Sequence, residues 1–370
     1  MSTIQPVLDA FAQQATYCRE HGSPFTARLL RCAADGLARG EPVLRAIAAW
    51  PGDPVADALP LRLAGALHAL VLEGRADALA RHYPGAAGAS DDAALWQAVA
   101  VALQTHPDVL SGYLASPPQT NEVGRSAVLL GGFMAVAART GLPLRLLELG
   151  ASAGLNLNWD RYRYRLGDVH WGDTGSPLEL APLWHGAAPP LAGLRVASRM
   201  GCDLAPVDVA EDAQRLRLRS YVWADQRARM EQLDAALSVA KRHHPRVERA
   251  GADDWLERRL AEPAAGAATV VYHSIFWNYL PAAAKARIGA AIAHAAQSAD
   301  ATAPLAWLRF EFDDPSCLPS LRLSLWPGAL ELHLADAQAH GQEVFWHADD
   351  EADAALRAPR HGRIGASPTM

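Results

Sequence analysis

Long apolar runs are missing from this chain. No stretch of about 18 uninterrupted apolar residues occurs, which is the length a helix needs to cross a bilayer. The opening Met1-Ser2-Thr3-Ile4-Gln5-Pro6 has no basic segment followed by an apolar one. A soluble, unexported, cytoplasmic protein without a membrane partner is therefore expected. Cysteine is scarce too. Cys18, Cys32, Cys202 and Cys317 are scattered without C-x-x-C spacing, which excludes a zinc knuckle or dithiol redox motif and leaves buried free thiols as the expectation. Nor is positive charge in excess: 34 Lys and Arg stand against 40 Asp and Glu, a formal charge of −6. That argues against a surface built around phosphates, and no nucleic-acid partner is expected. What is present is a 370-residue chain, 50% hydrophobic, long enough for a large α/β domain and a smaller unit.

From Pro6 to about Thr140 the sequence is rich in Ala, Leu and Arg. Leu59, Leu63, Leu67 and Leu70 have helical spacing, and breakers recur at Gly22-Ser23-Pro24, Pro51-Gly52 and Pro84-Gly85. This predicts about six helices and no strands over residues 1–140, with Thr120 or Asn121 capping the last helix. The period then changes. Apolar runs at about 144–149, 195–199, 246–249, 269–273 and 305–312 predict strands separated by helices, hence a mostly parallel sheet over 141–350. Leu321–Trp326 and Glu343–Trp346, with a further strand around 330–334, suit an antiparallel finish. Tyr162–Leu194, carrying Gly and Pro throughout, reads as an insertion over the site, and Trp159, Tyr162, Tyr164, Trp171 and Trp184 serve it either as local packing or as a substrate wall. A tail over 351–370 is expected to be loosely ordered.

The most informative segment is Leu144 to Asn156, where an apolar strand ends in Glu148 and opens through Gly150-Ala151-Ser152-Ala153-Gly154 into an expected helix. Strand ends of this kind carry ligand sites, and a helix N-terminus offers unpaired N–H groups to an anion. Three chemistries share the arrangement. A dinucleotide site wants G-x-G-x-x-G, but here the second glycine is missing and the third comes early, which disfavours NAD. A serine hydrolase is spelled literally by the G-x-S-x-G, and Asp253 or Asp313 then His333 or His340 follow in the required order; the helical 140 residues before it do not suit that fold. The third is an S-adenosylmethionine (SAM) site. Glu148-Leu149-Gly150-Ala151-Ser152-Ala153-Gly154 resembles the E/D-x-G-x-G/S-x-G motif of class I SAM-dependent methyltransferases position by position.

That resemblance implies a Rossmann-like class I methyltransferase-type sheet, mostly parallel with an antiparallel last strand, behind an all-helical N-terminal domain. It implies SAM as cofactor, held by Glu148, Gly150, Ser152, Gly154 and Asn156, with Asp203 on the ribose and Asp253 on the adenine. Helix capping is the competing role for both aspartates. At the acceptor side His273 is a candidate general base and Tyr279 or Asn278 a candidate for orienting a small-molecule acceptor, although a histidine at a strand end is also a common structural residue. Pro118–Arg125, Glu148–Leu157, Gly201–Asp208 and Tyr272–Pro281 together resemble a bacterial domain-of-unknown-function family, which supports the fold and leaves the reaction open. Arg125 at its helix start is then placed to pair with the methionine carboxylate, or else is a surface arginine beside Glu122. His333, His340 and His347 recur every seven residues, but the spacing matches no ligand geometry on strands and loops, and no metal is expected. Oligomeric state is not legible.

Overall fold

The computed structural model describes residues 4–86, 91–262, 264–314 and 316–347; the expected tail at 351–370 lies outside them. The chain begins with α1 (Gln5–Glu20), α2 (Pro24–Ala38), α3 (Arg45–Ala48), α4 (Leu59–Leu72), α5 (Asp77–Ala80), α6 (Asp92–Thr105) and α7 (Pro107–Leu114). Proline occupies the first turn of α1, α2, α4 and α7, where its missing N–H costs nothing and its fixed φ favours a helix start. α8 (Arg125–Thr140) has Gly124, rather than Thr120 or Asn121, at its N-cap position and ends at Gly141 with φ 67°.

Then follow β1 (Leu144–Leu149), a short 3₁₀ helix (Leu155–Arg161), β2 (Arg163–Leu166), β3 (Val169–Gly172), β4 (Glu179–Leu180), β5 (Leu183–His185) and β6 (Val196–Asp203). After α9 (Asp212–Ser220) and α10 (Arg227–His243) come β7 (Val247–Arg249), α11 (Ala252–Leu260), β8 (Ala268–Ser274), α12 (Ala282–Ala296), β9 (Leu305–Glu311), β10 (Ser320–Trp326), β11 (Leu330–Ala337) and β12 (Glu343–Trp346).

Two compact units result, divided differently from the 1–140 and 141–350 read from the sequence. Met1–Glu122 joins Val207–His244, and Val123–Pro206 joins the residues from Pro245 on. In the helical unit Phe11, Leu30, Ile47, Leu63, Leu67 and Leu95 are fully buried. The late segment completes this unit: Tyr221 belongs to the same core, Ser220 Oγ bonds Tyr113 Oη at 2.7 Å, and Asp225 accepts from the Phe25 amide at 2.8 Å, serving the first turn of α2.

The second unit is a nine-stranded sheet in the order β5-β12-β11-β10-β9-β8-β1-β6-β7, beside a separate sheet β3-β2-β4. β7, β6, β1, β8 and β9 run parallel. The expected antiparallel finish is a meander, β9-β10-β11-β12, with β5 added parallel to β12. The mixed α/β class therefore stands. β1 alternates its side chains between two covered faces. Leu147 and Leu149 pack with Trp255 and Leu256 of α11 and Ile288 and Ile292 of α12. Glu148 points the other way, toward Tyr272, whose ring meets Phe133 of α8 edge-on at 5.1 Å. No helix among the described residues is long and apolar enough to cross a membrane.

Candidate functional site

From β1 the chain passes to β6 and β7 on one side, and β8 and β9 lie on the other, so connectivity reverses direction at β1 and β8. Ligands of open α/β sheets collect outside the carboxyl ends of strands at such a reversal. The turn after β1 sits there. Gly150 (φ 67°), Ser152 (φ 51°) and Gly154 (φ 68°) are all left-handed, a conformation costly for a residue with a Cβ. Ser152 is held in it by Asp203 at the end of β6, whose Oδ2 accepts the Ser152 amide at 2.9 Å while Oδ1 accepts that of Ala205 at 2.8 Å. The two glycines also answer to packing. A Cβ on Gly150 would lie 2.2 Å from the Phe276 ring, and one on Gly154 2.8 Å from Pro245.

Glu148 is buried, with the Tyr272 hydroxyl donating to its Oε2 at 3.2 Å. Burial pushes its carboxyl up to about 8, further raised by the Asp203 charge and opposed by the Tyr272 hydrogen bond. At neutral pH it is mainly a neutral acid. The Ser152 Oγ is buried and finds no hydrogen-bond partner among the described residues, and the same holds for Asn158 Nδ2. Such orphaned groups cost about 1–3 kcal/mol each unless a ligand or water satisfies them.

The expected helix after the turn is a seven-residue 3₁₀ segment with a non-helical Asn158. Its carbonyls are taken by side chains: Tyr162 Oη donates to Leu155 O (2.6 Å), Tyr164 Oη to Trp159 O (2.7 Å) and Arg199 Nη1 to Leu157 O (2.7 Å). These bonds tie the segment to its neighbours, and a segment this short presents no helical anion site. Trp159, Tyr162 and Tyr164 are fully buried, which assigns them to packing. Asn156 is buried as well, its Oδ1 accepting from Ser126 Oγ at 2.7 Å.

Three other expected residues are engaged by the fold itself. His273 at the end of β8 is fully buried with both ring nitrogens engaged. Trp307 Nε1 can only donate, and it reaches His273 Nε2 at 3.1 Å, so the proton sits on Nδ1 and is donated to Glu311 Oε1 at 2.6 Å. A general base needs a free lone pair, and His273 has none; it is corrected to a structural residue. Glu311 also accepts the Phe276 amide at 2.9 Å, so the pair fixes the segment that lies on Gly150. Arg125 spends its fork on backbone, Nε to Ala339 O and Nη1 to Ser274 O, each at 2.9 Å. Its other expected partner, Glu122, pairs with Arg229. Asp253, in the first turn of α11 behind an N-cap of Gly251, accepts from Arg287 Nη1 at 3.0 Å. Tyr279, in contrast, is 79% exposed, and of the cysteines Cys317 is exposed while the other three are buried.

The profile of the family described as "uncharacterized protein conserved in bacteria" matches residues 8–346. The chain belongs to that family, DUF2332. The match spans all four segments on which the bacterial family resemblance rests. No curated protein and no solved structure matches. In this DUF2332 chain the residues missed from sequence are Tyr272, Glu311, Trp307 and Arg199. Only Glu311 carried a signal, an acid closing the apolar run Leu305–Phe310.

Proposed function

We propose that the turn after β1 binds SAM and that the protein transfers the cofactor's methyl group to a small-molecule acceptor. One observation carries the reading: a turn with three left-handed residues, bearing the orphaned Ser152 Oγ, follows the central strand where the parallel connectivity reverses. Those residues fit a nucleoside cofactor. The Asp203 carboxylate has acceptor capacity beyond its two amides for ribose hydroxyls, and Ser152 Oγ supplies a hydrogen bond that the fold leaves unused. SAM brings an electrophilic methyl on a sulfonium, so the protein's own task is to hold and orient. Exposed Tyr279, just past β8, is a candidate contact for the acceptor. The reading does not use His273 as a base.

A second reading, binding without transfer, is favoured by the acceptor side itself, where His273 is closed off by Glu311 and Trp307 and Phe276 packs on Gly150. Calorimetry with S-adenosylhomocysteine and SAM, with NAD and ATP as controls, tests both. Selective binding weakened about tenfold in Asp203→Asn supports the site. Absence of binding by folded protein removes it. Binding with no acceptor methylated in a broad screen selects the second reading.

A further inference from the structure

The sequence places His333 and His347 fourteen residues apart, and no metal was expected from that spacing. The sheet brings them together. From the antiparallel meander we infer a divalent transition-metal site formed by His333, Asp336 and His347, remote in kind from the SAM reading and independent of it. Their ligand atoms all lie within 4.8 Å of one another.

The geometry depends on one extra residue. Along β10 and β11, Leu321 faces Ala335 but Arg322 faces His333, so Leu334 is a β-bulge. In a regular strand residues three apart point to opposite faces; the bulge shifts the phase by one. Leu334 and Ala335 are accordingly both buried, and His333 and Asp336 share the outer face. The bulge also seats the third ligand, because Leu334 O accepts the His347 amide at 2.8 Å just past the end of β12.

The chemistry of the three groups suits a cation. His333 Nε2 lies 2.9 Å from Asp336 Oδ1 and His347 Nε2 2.8 Å from Oδ2. A carboxylate only accepts, so each imidazole presents an Nε2–H to it. Two N–H protons thus converge on one carboxylate, and a single divalent ion can replace both once the imidazoles shift their protons to Nδ1. Two imidazoles and one carboxylate are a ligand set used by zinc and non-haem iron, with coordination positions left open. His347 and His333 are 42% and 37% exposed, so those positions face solvent. The cations in register are engaged elsewhere, Arg322 with Asp313 at 2.6 Å and Arg309 with Glu331 at 3.2 Å.

The test is equilibrium dialysis of the tag-free full chain against Zn²⁺, with Co²⁺ substitution to report geometry by its visible d–d bands. One Zn²⁺ per chain is expected, with a tetrahedral-type Co²⁺ spectrum and a raised Tm. Asp336→Asn, His333→Ala and His347→Ala should each weaken binding by at least the ~10–100-fold that loss of a supporting group costs a metal site, while His294→Ala on α12 leaves it intact. A folded wild type that retains well under one equivalent overturns the proposal. So does stoichiometric binding that survives in the His333→Ala/His347→Ala double variant with native circular dichroism, because the ion is then held elsewhere.

Discussion

At the scale of single residues, Glu148 carries the clearest pH signature. Below about pH 4.5 folded and unfolded chains both hold its proton; from there to about 8 the unfolded chain gives it up and the folded chain keeps it. The stability contributed by the protonated side chain is therefore full at low pH and lost as pH rises through about 8. Urea melts from pH 5 to 9 should show the wild type losing about 2–4 kcal/mol relative to Glu148→Gln, which cannot ionise. A difference that stays flat across that range would sink the assignment. Gly150→Ala is expected to cost about 2–4 kcal/mol, since it meets both a φ of 67° and the Phe276 ring; an unchanged urea midpoint would mean the turn is looser than described. Glu311→Ala leaves the His273 Nδ1–H and the Phe276 amide without their acceptor, and a loss of about 2–4 kcal/mol should appear in the same measurement.

At the scale of elements, much was written in local pattern. The strands at 144–149, 246–249, 305–312 and 343–346 match the observed β1, β7, β9 and β12 to within a residue or two; β1 and β9 are mostly apolar, whereas Arg246-Val247-Glu248-Arg249 is not and is held as a strand by its pairing with β6. The segment after Gly154 was not legible. Leu155-Asn156-Leu157-Asn158-Trp159 has nothing locally against an α-helix, and its carbonyls are tied down by three side chains, two on β2 or next to it and one on β6. Tyr162→Phe and Tyr164→Phe should each cost about 1 kcal/mol with the fold retained, read by denaturant melts. A gain in helical circular dichroism in the double variant would strengthen the point that those hydroxyls hold the segment in its 3₁₀ form. The edge strand β5 escaped notice for a similar reason, since three residues in a Gly- and Pro-rich stretch gain strand geometry only from β12. The turn after β1 was legible as a motif, but the state of its neighbours was not: nothing around His273 in sequence announces that Trp307 and Glu311 will close both nitrogens.

For the whole molecule, the division into units departs from the sequence because tertiary partners, not chain order, decide it. α8 reads as one more helix of a helical run, yet residues Ser126 through Ala137 are all buried in the sheet unit. A fragment beginning at residue 141 should therefore fail to fold, and one beginning at 123 should do better; equal solubility and equal near-UV circular dichroism of the two would contradict the division. α9 and α10 sit between two strands in sequence but belong with the opening helices.

Synthesis on the ribosome makes that last arrangement a matter of timing. The first 122 residues leave the exit tunnel lacking Ser220, Tyr221 and Asp225. At about 5–20 residues per second they wait on the order of ten seconds for the segment that completes their core. For that interval a Leu-rich helical surface stands open beside a growing chain, a natural client for whatever holdase attends the nascent polypeptide.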